Sequence, residues 1–472
     1  MTIALSIIIL STVIALGKVL GRCKLFGISL GVTWILFVGI IFSHFGLTLE
    51  AELLHFLKEL GLILFVYSIG MQVGPSFFSS FRAGGIKLNL LSTILVLLGV
   101  GTTAVLIKLT GIDGPTMIGV MSGAVTNTPG LGAAQQAFVD ANGGDPSGIA
   151  LGYAVSYPLG VVGAILAFIL VKKTLYRKGS GSVALPAKTT DNADYEVRKI
   201  EQDAQSRGLK YVHKKIIISK RKINGKHLGS LEFEKFIGAS IIRIRRAGIE
   251  ISAKPQTVLQ LGDVVTVVGA EESIKAMEKI LGNSVKKLDE PNLIAIFAGI
   301  AAGCALGSIP IHIPGIPQPI KLGLAGGPLI VSILISYFGP RLKLVTYSTT
   351  SANLMIREIG ISIFLACVGL QAGTGFVDTI VNKGGLIWIA YGAVITLLPL
   401  LLSSLIGKYL FKLNYNTLIG LLAGACTNPP ALAFASEQDA GSDEAAVAYA
   451  TVYPLTMFLR VLCAQLMMLL ML

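Results

Sequence analysis

Charge is scarce in this chain. Only 14% of its 472 residues are Asp, Glu, Lys or Arg, and 53% are hydrophobic. A soluble domain of this size carries roughly a quarter charged residues, so the composition excludes an ordinary soluble protein. Acidic residues are missing from the depths of the apolar segments, which argues against a proton antiporter or sodium–proton exchanger, since these rely on an intramembrane carboxylate. Cysteine is sparse too. Cys23, Cys304, Cys367, Cys426 and Cys463 are scattered, with no spacing that suits zinc, iron–sulfur or a disulfide framework, so buried free thiols are expected. No Thr-Val-Gly-Tyr-Gly-like stretch is present, which removes a potassium-channel filter. The apolar segments hold no His pair, acidic dyad, Gly-x-Ser-x-Gly or His-Glu-x-x-His motif. Neither an enzyme nor a cofactor or metal site is therefore expected.

What the chain has in plenty is long apolar runs. Segments of roughly 20 residues, the length that spans a bilayer, recur in both end blocks, so a polytopic α-helical membrane protein is predicted. Met1–Gly17 has no basic n-region and no small-residue cleavage site, and reads as a retained first helix. The net charge of +13 fits loop and middle-domain lysines and arginines on the positive-inside side better than a nucleic-acid polymer as partner.

Three blocks follow from composition: an apolar repeat over 1–172, a linker over 173–204 with a small α/β domain over 205–288, and a second apolar repeat over 289–472. The two apolar blocks echo each other. Thr126-Asn127-Thr128-Pro129 returns as Thr427-Asn428-Pro429-Pro430. Gly70-Met71-Gln72-Val73-Gly74 returns as Gly369-Leu370-Gln371-Ala372-Gly373. Lys58-Glu59-Leu60-Gly61 parallels Arg357-Glu358-Ile359-Gly360, and Ser43-His44-Phe45-Gly46 parallels Ser336-Tyr337-Phe338-Gly339. Tyr153 and Tyr157-Pro158 parallel Tyr449 and Tyr453-Pro454. The motifs keep their order at offsets between 293 and 301.

Each half offers six apolar segments: 2–18, 29–45, 60–75, 87–108, 115–139 and 150–171, then 291–306, 322–338, 359–374, 386–407, 416–436 and 446–471. Basic residues bear on the topology. If the fifth segment dips in and returns, Lys18, Arg22, Lys24, Arg82, Lys87, Arg341, Lys343, Lys408 and Lys412 fall on the cytoplasmic side and the acidic link Asp140–Asp145 falls outside. Five crossings plus one re-entrant hairpin per half makes the repeats inverted, with both termini outside. A broken helix that crosses would have a similar length.

The candidate substrate-binding residues are Thr126, Asn127, Thr128, Thr427, Asn428, Pro429, Gln72, Gln371 and Arg460. Proline unwinds a helix, and irregular backbone at membrane depth is tolerated where it is buried in protein or lines a cavity. The arm after each tip points its positive end at the cavity, favouring an anion, while the preceding arm offers carbonyls to a cation. A packing kink is the alternative. Gln72 and Gln371 could hydrogen-bond solute or serve as interhelical glue. Arg460 lies in an apolar helix where its repeat partner is Ala164, and an intramembrane Arg is costly and functional; it could clamp a carboxylate or snorkel. Arg357 and Glu358, like Lys58 and Glu59, are expected at helix starts as end-pairing charges. In the middle block, 215–218, 239–246 and the pair around Gly262-Asp263 (257–261 and 263–269) read as strands, with a helix over 271–281.

At these residues the chain resembles the aspartate–alanine exchanger family of bacterial inner-membrane transporters, over nearly all of its apolar sequence. The middle block resembles the C-terminal regulatory module of potassium-transport proteins (the RCK-C, or TrkA-C, type) through Leu259-Gln260-Leu261-Gly262-Asp263-Val264-Val265. Family members commonly carry two such modules; there is room here for one. The resemblance implies a homodimeric secondary transporter, an exchanger of acidic amino acids or dicarboxylates working by an elevator movement, with a possible small regulatory ligand at the middle domain. An inorganic-ion carrier, or a channel gated by the module, is the alternative.

Overall fold

The computed structural model describes residues 2–22, 31–78, 85–176, 211–231, 239–246, 249–255, 257–260, 262–282, 293–310, 321–339, 350–373, 376, 381, 384–438 and 444–471. Residues 177–204 of the expected linker, and Cys23, Lys24, Arg82, Arg341 and Lys343, lie outside them.

The first repeat contains α1 (Ile3–Leu20), α2 (Trp34–His44), α3 (Ala51–Phe77), α4 (Gly85–Thr110), α5 (Gly114–Ala124), α6 (Thr128–Asn142) and α7 (Ser147–Leu175). The second contains α9 (Leu293–Ser308), α10 (Gly323–Phe338), α11 (Thr350–Ala372), α12 (Gly385–Tyr409), α13 (Tyr415–Ala425), α14 (Pro429–Gln438) and α15 (Glu444–Met471). Seven of these helices (α1, α3, α4, α7, α11, α12 and α15) are long and apolar enough to cross a membrane. Large apolar side chains point outward along them, including Ile7, Ile8, Leu90, Leu97, Leu386 and Leu398, as helices surrounded by lipid require. The fold is thus a polytopic α-helical membrane protein of two repeats with a small α/β insert.

The fifth segment of each half is a re-entrant hairpin. Capping explains where its arms begin: the Asp113 carboxylate accepts the Thr116 amide at 2.9 Å, and Asn414 Oδ1 accepts the Thr417 amide at 2.8 Å. The arms are short. α5 and α13 have 11 residues each, about 16 Å of helix, half of what a crossing needs. α6 then ends at Gly143, whose φ of 61° is left-handed, a conformation that glycine takes at little cost.

Neighbours across the fold show that the chain turns back. A Cβ on Gly148, at the start of α7, would lie 3.1 Å from Thr116 Oγ1 at the start of α5. The Asn414 amide donates to the Glu444 carboxylate, joining the starts of α13 and α15 at 2.8 Å. So each long helix after a hairpin starts where its hairpin started. α7 ends beside the base of hairpin two, where the Tyr176 hydroxyl donates to the Leu413 carbonyl at 2.6 Å. α15 ends at the base of hairpin one, with Met471 3.0 Å from a Cβ built on Gly114. The two hairpins therefore enter from opposite faces and the repeats are inverted.

The repeats interlock. α3 and α11 cross backbone to backbone at Gly61 and Gly360. A Cβ on Gly61 would lie 2.7 Å from the Phe364 nitrogen, and one on Gly360 would lie 2.6 Å from the Phe65 nitrogen. α3 lies on α10 through Gly70 and Gly74, where Ser336 Oγ donates to the Met71 carbonyl at 2.8 Å. α11 lies on α2 in the same way, through Gly369 and Gly373. Small residues that let helix backbones touch are the usual device in lipid, where burial of apolar surface drives little association.

Helices α3 and α11 begin at Ala51 and Thr350, earlier than the segments read from hydropathy. Lys58 and Glu59 therefore sit two turns inside α3, and Arg357 and Glu358 two turns inside α11, not at helix starts. Glu59 is a carboxylate inside a membrane-length helix with a side chain only 12% exposed, which corrects the expectation that no acid is buried there.

The insert folds as an antiparallel sheet of order β1-β4-β2-β3, made from Tyr211–Ile217, Ala239–Arg246, Ile249–Ser252 and Val264–Ala270, with α8 (Glu271–Leu281) packed on it. The expected strand over 257–261 is not one: its described part, 257–260, makes only an isolated bridge, His227 to Val258. Its backbone pairs mainly with the 225–228 segment: the Leu228 amide donates to the Thr257 carbonyl, the Leu259 amide to the Lys226 carbonyl, and the Gly225 amide to the Leu259 carbonyl. Arg246 Nη2 donates to the Val258 carbonyl and the Gln260 amide donates to Asp263. Arg246 and Asp263 form a buried two-bond ion pair at 2.8 and 2.7 Å, the planar fork geometry that suits Arg. Val447, in the first turn of α15, packs against the insert's core.

The crossing gives a direct test. Gly360→Leu is expected to destabilise the protein by at least the ~1–3 kcal/mol typical of overpacking, because the opposing atoms are backbone. Gly101→Leu on α4, where nothing lies within 4 Å, is expected to be neutral. Thermal melting of the purified variants checks both.

Candidate functional site

The two hairpin tips meet. Thr126 Oγ1, at the first tip, donates to the Cys426 carbonyl at the second, at 2.9 Å. Thr126, Asn127, Thr128, Thr427, Asn428 and Arg460 are all at most 8% exposed. The structure thus brings six of the nine sequence-predicted residues into one buried region; Pro429, next in the chain, is exposed.

Both tips share a strained turn. Thr126 has φ 54° and Thr427 φ 50°, and Lys412 is the one other described non-glycine residue with positive φ. A β-branched residue in that region is unusual, and such strain concentrates at sites that need a particular backbone shape. The turn works the same way in each copy. The Thr126 and Asn127 amides donate back to Gly123 and Ser122, and the Thr427 and Asn428 amides donate to Gly424 and Ala423. Asn127 Oδ1 then caps α6 through the Gly130 amide at 3.2 Å, and Asn428 Oδ1 caps α14 through the Ala431 amide at 3.0 Å. Both asparagines are N-caps, the role their side chains suit.

Past that common frame the tips differ. In hairpin one, Thr128 Oγ1 and the Tyr153 hydroxyl share a hydrogen bond at 2.8 Å. Pro429 stands in the equivalent place of hairpin two. Its first two helical residues are Pro429 and Pro430, which carry no N–H, so the anion-attracting amides expected at both tips are largely missing from the second. Side-chain donors stand there instead: Asn428 Nδ2 and Thr427 Oγ1 are buried without a partner. The carbonyl end of each entering arm is occupied. Thr396 Oγ1 donates to the Ala124 carbonyl at 2.8 Å, and Arg460 Nε donates to the equivalent Ala425 carbonyl at 2.5 Å. Arg460 Nη2 lies 4.0 Å from Cys426 Sγ. A cation at a helix C-terminus suits the dipole, so Arg460 props the second tip from behind.

Gln371 lies away from the tips. Gln371 Nε2 donates to Asp145 at 3.2 Å, in the link at the base of hairpin one, and α6, with its 15 residues, separates that link from Asn127 by about 22 Å. The glutamines meet cations of the opposite repeat. Lys58 Nζ donates to Gln371 Oε1 at 3.4 Å, and Arg357 Nη1 donates to Gln72 Oε1 at 3.0 Å. Position 58 matches 357 and 72 matches 371, so this is one interaction made twice around the α3–α11 crossing. Arg357 Nε is buried without a partner, and Arg357 is within electrostatic reach of Tyr449 and Tyr453. Those rings stack at 5.3 Å and 16°. Tyr449 also lies against α13, its Cα 3.0 Å from a Cβ built on Gly424. Tip two and Arg357 therefore share one aromatic wall. Sequence reasoning left Lys58 and Arg357 as end-pairing charges; the missed signal was the repeated basic-Glu-x-Gly pattern three residues before a crossing glycine.

Comparisons with known proteins agree with this architecture. A family model described as a predicted permease membrane region matches residues 9–173 and 295–469, and a TrkA-C domain model matches residues 216–282. The chain is 52% identical to an uncharacterized transporter of Bacteroides fragilis, covering 99% of this chain and 96% of the relative. It is 41% identical to an uncharacterized transporter of Bacteroides thetaiotaomicron, covering 98% and 96%. No solved structure matches it.

Two substitutions separate strain from support. Thr427→Gly removes a left-handed cost of roughly 1–2 kcal/mol, offset in part by glycine's chain entropy, so its melting temperature is expected to equal or exceed that of the parent. Arg460→Met removes a hydrogen bond from a charged donor, which is worth about 1.5–3 kcal/mol, and is expected to lower it. Differential scanning fluorimetry in detergent reads both.

Proposed function

From the premise that this chain belongs to the aspartate–alanine exchanger family of membrane permeases, we propose that it is a secondary transporter exchanging acidic amino acids or dicarboxylates. The observation that carries this reading is the set of buried, unpartnered donors on one side of the structure: Asn428 Nδ2, Thr427 Oγ1 and Arg357 Nε. A buried donor without an acceptor is costly, and a carboxylate supplies acceptors in pairs. Thr427 and Asn428 bind solute at the tip, Arg357 supplies the countercharge, and Gln72 holds Arg357. Thr126, Asn127 and Thr128 form the opposing wall. Arg460 fixes the second tip rather than clamping solute itself. Tips that touch through Thr126 and Cys426 favour a carrier over an open channel.

The packing supports an elevator. α1, α2 and α3 group with α9, α10 and α11, joined at the two glycine-lined contacts. The hairpins, α4, α7, α12 and α15 form the other group. In this reading the first group is the fixed scaffold and the hairpin group slides, offering solute to Lys58 on one face and Arg357 on the other. Lys172, Lys173 and Lys408 lie at the face of the insert, which by the positive-inside rule supports a cytoplasmic insert and periplasmic termini; the inner membrane is the location the family resemblance implies. A homodimer and a small ligand at the insert complete the proposal.

Thermal melting of the full chain with L-aspartate, L-glutamate, succinate, inorganic phosphate, potassium chloride and cyclic dinucleotides tests it. A ligand at a hundred times its Kd stabilises the folded state by about 2.7 kcal/mol. Stabilisation by an amino acid or dicarboxylate is expected, lost in Asn428→Ala and in Arg357→Gln. Stabilisation by phosphate alone would move the substrate to inorganic anions. A shift with potassium or a nucleotide only would sink the organic-anion reading.

A further inference from the structure

A second group of unpartnered atoms has the opposite character. Beside hairpin one the orphans are oxygens: Glu59 Oε2, Gln135 Oε1 and Gln136 Oε1. The amide orientations are set by their nitrogens, since Gln136 Nε2 donates to Asp140 at 2.8 Å and Gln135 Nε2 to the Pro146 carbonyl at 3.5 Å. Gln135 is 1% exposed and Gln136 8%. These groups share a level. Gly132 of α6 packs on Leu62 of α3, and α3 and α6 run antiparallel, so the next turn brings Gln135 and Gln136 to the level of Lys58 and Glu59, with Gln136 also lying against Gly323 of α10. One turn further, Asp140 stands within electrostatic reach of His55 and Glu59.

A surplus of buried acceptors is relieved by a proton or a cation. Lys58, 2% exposed, already supplies the fixed cation, 3.9 Å from Glu59 Oε1. A metal ion there would face Lys58 across a few ångströms of poorly screened space, which leaves the proton. Repeat two shows the contrast. Its equivalent carboxylate, Glu358, pairs with Lys18 of α1, and the two side chains are 46% and 39% exposed, so a dedicated partner outside the buried core satisfies it.

We propose that Glu59 is a proton-binding site, loaded when an anionic solute draws Lys58 away from it. The coupling half rests on the anion reading above; the proton site does not. With Lys58 held on Glu59 the pair is neutral. When solute takes the lysine, a proton from water forms an O–H bond at Oε2, the O–H turns to the orphaned amide oxygens, and the pocket stays neutral. Return of Lys58 releases the proton. Among the described residues, the titratable or charged groups facing the pair are His55 on α3, Asp140 on α6, Asp145 in the following link and Cys367 on α11. A carboxylic acid without a salt-bridge partner in a membrane-length helix is a typical proton carrier.

Infrared difference spectroscopy of the full-length protein in lipid, titrated with acid, reads the site without any solute. A protonated-carboxyl band is expected that Glu59→Gln removes, Glu59→Asp shifts, and Glu358→Gln leaves in place. Gel filtration establishes that each variant is folded, and Glu59→Asp decides the matter if Glu59→Gln is not. A band untouched by both Glu59 variants overturns the proposal. A second arm loads proteoliposomes with a pH-sensitive dye and adds L-aspartate or succinate. Solute-driven proton movement is expected, falling to background in Glu59→Gln. Solute uptake without proton movement overturns the coupling, whereas no uptake of either solute counts against the anion reading while the infrared band still decides the site.

Discussion

The backbone contact between α3 and α11 governs everything around it. Because Gly61 and Gly360 bring two helix axes closer than side chains allow, each central helix reaches across to the other repeat. α3 is then held by α10, and α11 by α2. The same crossing fixes Lys58 and Arg357 on either side of one point, each bonded to a glutamine of the opposite repeat. A wider crossing would break those bonds and take from each of two membrane-length helices a partner of its cation, a loss that lipid penalises. Hairpin one packs on this pair, Gly132 on Leu62, so the placing of its tip depends on the crossing too.

Within that symmetric frame the chemistry is unequal. Both tips keep the strained threonine and the capping asparagine, which shape the backbone. What surrounds them has diverged: Thr128 against Pro429, Thr396 against Arg460 as the prop under the entering arm, Lys58 with Glu59 against Arg357 beside a Glu358 that pairs with Lys18. The result is a side of acceptors and a side of donors in one molecule. Duplication accounts for the shared skeleton, and substitution at a few contacts accounts for the difference between its two sides.

Much of this was legible in the residues. The doubled Thr-Asn-x-Pro segment predicted the hairpins because proline ends an arm and 11 residues cannot span a bilayer, and basic residues favoured the re-entrant arrangement. The insert's helix and three of its four strands follow from local pattern. Three features were not legible, each for a physical reason. Helix starts were placed after the charges at Lys58 and Arg357, since hydropathy treats a charge as an end, although each is held by a cross-repeat hydrogen bond. The left-handed φ at Thr126 and Thr427 contradicts the propensity of threonine and is imposed by the turn. The role of Arg460 depends on where the Ala425 carbonyl points, which only tertiary packing decides. The strand expected at 257–261 does not join the sheet: its described part pairs with the 225–228 segment, and Arg246 and Asp263 take only the Val258 carbonyl and the Gln260 amide.

The exchange of helices between repeats also bears on synthesis. Gly70 and Gly74 of α3 wait for α10, which ends about 260 residues later along the chain. At the usual 5–20 residues per second, that wait is on the order of 10–50 s. Throughout it the first repeat sits in the bilayer with its glycine groove filled only by lipid, and the insert is translated before relief arrives. The growing chain thus spends most of its birth as a half-assembled membrane protein with a polar cluster at Lys58 lacking its partner from α11. Anything that slows translation between the repeats lengthens the interval in which quality-control proteases find it in that state.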